Sequence, residues 1–86
     1  MRVLYFTSPS CRPCRSFGPI LTAELAKRGV EPERVDISTP EGLDQADSYG
    51  VSSTPTVVIE RDGEEVSRFT GALLGSSLQD ALGVLL

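Results

Sequence analysis

The stretch Arg2–Thr7 holds Val3, Leu4, Tyr5 and Phe6 in one unbroken apolar run. A run without alternation predicts a strand buried on both faces, as in a sheet covered by helices on each side. After Ser8-Pro9-Ser10 the period changes. Phe17, Ile20, Leu21 and Leu25 recur at helical spacing, which predicts a helix from about Arg12 to Arg28 stopped by Gly29. Pro19 lies inside it, removes one backbone donor and predicts a kink. Arg34-Val35-Asp36-Ile37 reads as a second short strand. Thr39 as N-cap and Pro40 at the first helical position open a short helix that carries Leu43 and Ala46 and ends near Tyr49-Gly50. Thr56-Val57-Val58-Ile59 is another continuous apolar run, hence another central strand. Asp62-Gly63 signals a hairpin into Glu64–Thr70, where Val66 and Phe69 share a face only across a bulge. This last strand is therefore expected at an edge. Gly75-Ser76-Ser77 begins a final helix with Leu78, Ala81, Leu82 and Leu85 inward. Its polar side offers Gln79 and Asp80 and no cation to meet lipid head groups, so the apolar stripe is core. The order is β-α-β-α-β-β-α.

Composition works mainly by exclusion. Eighty-six residues are expected to form one domain, 1–86, near the size at which a single core just suffices. A net charge of −4 argues against nucleic acid as a partner, because phosphate binding needs a basic surface. No run of about eighteen apolar residues predicts a membrane span. Val3–Phe6 is also too short for the core of a signal peptide, so the expected location is a reducing cytoplasm. The chain has no histidine, which excludes Ser-His-Asp and Cys-His catalysis and mixed Cys/His zinc sites.

What remains is the pair Cys11 and Cys14, the two cysteines of the chain. They could be a structural clip, half of a metal clamp shared between two copies, or a pair that opens and closes. In a reducing compartment such a pair is more often catalytic or metal-binding than a staple. Cys11 falls where a central strand hands over to a helix N-terminus, whose free amides and dipole stabilise a thiolate, and Arg12 and Arg15 add positive charge. Cys14 lies one turn further in, within reach of a mixed disulfide formed at Cys11. Ser53-Thr54-Pro55-Thr56 precedes the second central strand, where a proline is tolerated and by itself reads as an ordinary trans turn residue.

Taken together, these segments resemble the thioredoxin family, in the form of a short thioredoxin. Cys11-Arg12-Pro13-Cys14 is similar to the family's Cys-Gly-Pro-Cys site, with Arg12 in place of the glycine. Phe17–Leu21 resembles the segment with the family's helix-kinking proline. Tyr49-Gly50-Val51 with Thr54-Pro55-Thr56 resembles the approach to its cis-proline loop. Asp62-Gly63-Glu64 and Phe69-Thr70-Gly71-Ala72-Leu73 resemble its hairpin turn and the glycine beside its substrate groove.

The resemblance implies an α/β thioredoxin fold, a mixed four-stranded sheet flanked by helices. It implies a redox-active disulfide Cys11–Cys14, with Cys11 attacking and Cys14 resolving, and a cis Pro55 packed against the pair. Arg12, Pro13, Thr54, Pro55, Gly71 and Ala72 would line the groove. A cytoplasmic, monomeric dithiol-disulfide oxidoreductase follows, with no metal and no bound cofactor. NADPH would supply its electrons through a thioredoxin reductase, and disulfide-containing proteins, ribonucleotide reductase among them, would be its substrates.

The chain departs from the family in several places. It opens directly on the first central strand, which gives it glutaredoxin length. Ser10 replaces the aromatic residue before the first cysteine, and Tyr5 replaces the family's buried acid, whose lysine partner aligns with Arg34. Cys14 is thereby left without a nearby carboxylate base. A glutathione-linked glutaredoxin is the nearest alternative, but Gly71 is followed by Ala72-Leu73-Leu74 where glutaredoxins carry a Gly-Gly-x-x-Asp-like patch. Small redoxins serving ribonucleotide reductase, and a redox-silent thioredoxin-fold binding module, are the further alternatives.

Overall fold

A computed structural model describes residues 1–85. Its elements are β1 (Arg2–Thr7), α1 (Arg12–Ala26), β2 (Glu33–Asp36), α2 (Pro40–Tyr49), β3 (Thr56–Arg61), β4 (Glu64–Thr70) and α3 (Gly75–Ala81), followed by a 3-10 turn at Gly83–Leu85. The strands form one sheet in the order β2-β1-β3-β4. β1 runs parallel to β2 and antiparallel to β3, and β3 and β4 form the antiparallel hairpin. The two apolar runs thus sit in the middle, where both faces are covered.

Alternation along the central strands sorts their side chains into two cores. Val3, Tyr5, Val57 and Ile59 meet Phe17, Leu21 and Leu25 of α1 and Leu78 and Leu82 at the C-terminal end. Leu4, Phe6 and Val58 turn the other way, with Val35, toward Ala46 and Val51 on the α2 side. Fully burying one such side chain contributes about 1.5–3 kcal/mol, so these two layers carry most of the favourable folding energy. Arg2 ties three strands at one end of the sheet. Its guanidinium holds Glu33 of β2 through two contacts of 2.8 Å and reaches Glu60 of β3 at 3.1 Å. The Tyr49 hydroxyl donates to the other Glu60 oxygen at 2.7 Å, which satisfies a carboxylate that is mostly shielded.

Several expectations shift. α1 ends at Ala26 and not at Arg28, because Arg28 and Gly29 close tighter turns onto the carbonyls of Leu25 and Ala26. The helix nevertheless runs without a break through Pro19. Its buried row is Cys14, Phe17, Leu21 and Leu25, so Ile20 lies outside the core, 39 % exposed. On α2 the inward positions are Gly42 and Ala46, while Leu43 points to solvent. The cause is close approach: a Cβ on Gly42 would overlap the Asp36 carbonyl, so the helix can meet the β2 turn only at a glycine. Thr39 caps this helix as expected, its Oγ1 accepting from the Gly42 amide at 3.0 Å.

In the hairpin, Asp62 and Gly63 both take positive φ, at 53° and 82°, as the tight turn requires. Pairing shifts between Ile59 and Glu60, and Val66 is the extra residue of the bulge. Phe69 therefore packs on the α1 core, edge-on to Phe17 at 6.1 Å between ring centroids, and Val66 is exposed. The last helix stops at Ala81; Leu78 and Leu82 are buried, whereas Leu85 belongs to the 3-10 turn and is only partly covered.

Candidate functional site

The loop from β1 to α1 is fixed by short-range bonds of the kind serine makes readily. Ser8 Oγ accepts from the Ser10 amide at 3.2 Å, and the Ser8 carbonyl accepts from the Cys11 amide at 3.1 Å. Arg15 reaches back to the Pro9 carbonyl at 3.2 Å, tying the loop to the helix it precedes. Cys11 is thereby held as the N-cap of α1. Its Sγ accepts from the Cys14 amide at 3.2 Å, the contact a serine oxygen makes at other helix starts. Pro13, in the first turn, costs no hydrogen bond because that turn's amides have no helical partner.

Cys11 and Cys14 form a disulfide across a Cα separation of 5.3 Å. The two sulfurs are not equivalent in their surroundings. Cys11 is partly exposed beside exposed Arg12 and Pro13, and Cys14 is 5 % exposed and faces the core. When the bond opens, the amide at Cys11 Sγ and the positive end of α1 both favour a thiolate there.

Sheet pairing brings the remaining candidates to the same end of the molecule. Phe6 pairs with Thr56, so the chain leaving β1 toward Cys11 lies beside the chain entering β3 from Pro55. The Thr54–Pro55 peptide is cis, as the resemblance implies, and Pro55 is buried. Gly71, at the end of β4, donates its amide to the Pro55 carbonyl at 2.8 Å. Thr56 and Thr70 share a hydroxyl contact of 3.2 Å just inside this edge. Thr54 and Gly71 are partly exposed and Ala72 is exposed, so these three expected groove residues reach solvent at this end, whereas Pro55 is buried.

Behind the disulfide lies Tyr5, whose ring meets Phe17 edge-on at 6.0 Å and whose hydroxyl donates to the Cys14 carbonyl at 3.1 Å. Gly18 lies against this ring, and a methyl there would meet the hydroxyl oxygen in ordinary contact at 3.4 Å. Tyr5 and Arg34 are register partners on β1 and β2. An open cleft of about 690 Å³ follows, lined among others by Tyr5, Cys14, Arg15, Pro19 and Arg34. Among the described residues no carboxylate lines it, so the sulfur pair has cations and a phenol behind it. The sequence marks Tyr5 as a replacement; its bond to the Cys14 carbonyl is visible only in three dimensions.

Among the described residues no group of three or more His, Cys, Asp or Glu side chains could hold a metal ion, and no helix is long and apolar enough to cross a membrane.

The thioredoxin family model matches residues 1–83. Among curated proteins, thioredoxin 1 of Synechococcus elongatus is 31% identical over 77 residues, which is 90% of this chain and 72% of the relative. The thioredoxin of Bacillus subtilis is 33% identical over 75 residues, 87% of this chain and 72% of that protein. The solved structure of Fasciola hepatica thioredoxin superposes with a TM-score of 0.84 at 33% identity, covering 98% of this chain and 79% of that one. The matched span contains the cysteine pair, the cis-proline loop and Gly71 together. The chain belongs to the thioredoxin family and is a thiol–disulfide oxidoreductase.

Proposed function

We propose that this protein reduces disulfide bonds in other proteins, with Cys11 as the attacking thiolate and Cys14 as the resolving thiol. The observation that carries this reading is the asymmetry of the pair: Cys11 is an accessible N-cap with an amide on its sulfur, and Cys14 is buried one turn behind it. In the first step the Cys11 thiolate attacks one substrate sulfur. A Cys11–substrate disulfide forms and the other substrate sulfur leaves as a thiolate. Cys14, losing its proton, then attacks Cys11 Sγ. The Cys11–Cys14 bond forms and the second substrate sulfur departs, so the substrate gains two electrons and the protein loses two. With no carboxylate in the cleft behind Cys14, the leaving thiolate or water takes the Cys14 proton.

Arg12, Pro13, Thr54, Pro55, Gly71 and Ala72 form the walls on which the substrate chain rests. Gly71, tied to the Pro55 carbonyl, keeps one wall free of a side chain. The protein works as a cytoplasmic monomer that draws electrons from NADPH through a thioredoxin-type reductase and passes them to disulfide-bearing enzymes such as ribonucleotide reductase. The thioredoxin relatives and the absence of a glutaredoxin-like patch after Gly71 support protein disulfides over glutathione. The test is NADPH consumption with insulin as the disulfide substrate. Turnover is expected with thioredoxin reductase; turnover only with glutathione and its reductase would overturn the reading.

A further inference from the structure

The open cleft behind Cys14, about 690 Å³, falls within the size range of small-molecule sites, about 300–1,000 Å³. α1 forms one wall, where Pro19, Ala23 and Ala26 are compact and apolar. β2 forms the other. It is an edge strand, so no further strand covers it, and its Arg34 stands in parallel register with Tyr5 of β1. Register partners project to the same face of a sheet. The Tyr5 ring packs on Phe17 of α1, so Arg34 also leaves the sheet on the α1 side, where both line the cleft.

The cations of this cleft are not matched by acids. Among the described residues Arg34 makes no hydrogen bond or ion pair, and Arg15 reaches only the Pro9 carbonyl. Asp36, the acid on the same side of β2, accepts from the Ser38 amide and hydroxyl at 2.9 and 2.6 Å and does not line the cleft. The polar hydrogens of the other lining groups are spent. The Tyr5 hydroxyl donates to the Cys14 carbonyl, and the Thr22 hydroxyl donates to the Gly18 carbonyl at 2.9 Å. Two guanidiniums with unused donors therefore meet apolar walls, in a chain whose net charge is −4. The planar fork of an arginine matches a carboxylate, and an apolar tail matches Pro19, Ala23 and Ala26.

We infer that this cleft binds a small organic carboxylate, held at its charged end by Arg34 and Arg15 and at its tail by the α1 wall. Resting on the function proposed above, the bound ligand also slows the resolving step. Cys14 lines the same cleft, so the two cations favour its thiolate, and a carboxylate placed on them opposes that thiolate. The site thus regulates Cys14 without touching the substrate groove.

The first test is isothermal titration of the oxidised protein with butanoate, against acetate, butylammonium and inorganic phosphate at matched ionic strength. Butanoate should bind with a Kd on the order of 1 mM, which is within reach of so few atoms. Acetate should bind roughly fivefold more weakly for want of the tail, and butylammonium should not bind. Arg34→Gln and Arg15→Gln should each weaken butanoate by roughly fivefold to tenfold. No saturable binding, unchanged affinity in either variant, or acetate or phosphate binding as tightly as butanoate would overturn the site. The second test mixes reduced protein with one equivalent of a chromogenic aromatic disulfide, which releases one thiolate as Cys11 attacks and a second as Cys14 resolves. Saturating butanoate should slow the second release roughly threefold in wild type and leave it unchanged in Arg34→Gln. A second release that bound butanoate does not slow would overturn the regulatory link. Absence of any second release from the ligand-free protein would instead overturn the cysteine roles proposed above, and the titration would still decide the site.

Discussion

The Tyr5 hydroxyl donates to the Cys14 carbonyl at 3.1 Å, directly behind the cysteine pair. The position six residues before the first cysteine therefore carries a neutral strut joining the central strand to the active-site helix, not an acid. Tyr5→Phe should lower stability by about 1 kcal/mol, the usual net worth of one buried hydrogen bond. Tyr5→Asp should cost roughly 3 kcal/mol through lost ring volume. It should also introduce a pH dependence. A carboxyl buried there would have its pKa raised by desolvation, so the folded state would hold the extra proton and stability would fall as pH rises through the raised value. Chemical denaturation of the oxidised proteins between about pH 6 and 8.5 measures both effects. A Tyr5→Phe protein as stable as wild type would show that the strut carries no load.

The wild-type oxidised protein should show a stability plateau, bounded on the acid side by hydrogen-bonded carboxylates and on the alkaline side by the part-buried Tyr49–Glu60 pair. Four carboxyls lie below their ordinary values: Glu33 through its hydrogen bond from Arg2, Glu24 through Lys27 and Arg28, Glu65 through Arg68, and Asp36 through Ser38. For a depressed pKa the contribution is present above the unfolded value and lost as pH falls through the folded one. Stability should therefore decline below about pH 4.5. Tyr49 is shifted the other way, held neutral mainly by donating to Glu60. Its contribution is present below the unfolded tyrosine value and is lost as pH rises above about 10. Tyr49→Phe should blunt the alkaline loss, and Glu33→Gln should blunt part of the acid loss. Denaturation midpoints read across pH 3 to 11 (roughly the carboxyl-to-phenol range) supply the comparison.

Gly42 gives a sharper test of packing. Alanine in a helix is favoured over glycine by about 1 kcal/mol, so on propensity alone Gly42→Ala should stabilise α2. The added methyl would overlap the Asp36 carbonyl, a backbone atom in the turn leaving β2, and so cannot be accommodated by a side-chain rotation. Overpacking should win, with a net loss of about 2 kcal/mol. Thr39→Ala, which removes the cap on the same turn, should cost about 1 kcal/mol. Urea denaturation of both variants is the measurement. A Gly42→Ala protein at or above wild-type stability would mean that the turn yields.

How far the sequence reveals all this depends on the range of the interaction. The central strands are legible because two-sided burial leaves an unbroken apolar run, and the α2 start is legible because Thr39 and Pro40 act locally. Cys11 as a helix N-terminus is legible for the same reason. Ile20 and Leu43 mislead because periodicity marks an apolar stripe but not its edge, which is set by where Phe17 and Gly42 meet the sheet. The bulge is signalled by the spacing of Val66 and Phe69, yet the residue it ejects is fixed only by pairing with β3. At the site, Pro55 alone reads as trans. Its conformation is legible only through the family resemblance, since nothing local in Thr54-Pro55 requires it. The bonds from Tyr5 to Cys14 and from Gly71 to Pro55 join distant segments, and no local pattern encodes them.

The most direct test of the division of labour between the cysteines is trapping with single substitutions. Reduced Cys14→Ser and Cys11→Ser proteins are each mixed with a disulfide-bonded protein substrate, quenched with acid, and read by intact mass and peptide mapping. Cys14→Ser should accumulate a mixed disulfide through Cys11, because the partly exposed sulfur at the helix N-terminus still attacks and no second thiol releases the product. Cys11→Ser should accumulate little, because Cys14 is 5 % exposed and the substrate sulfur cannot reach it. A stable adduct on Cys14 of the Cys11→Ser protein, with none on Cys11 of its counterpart, would contradict the account.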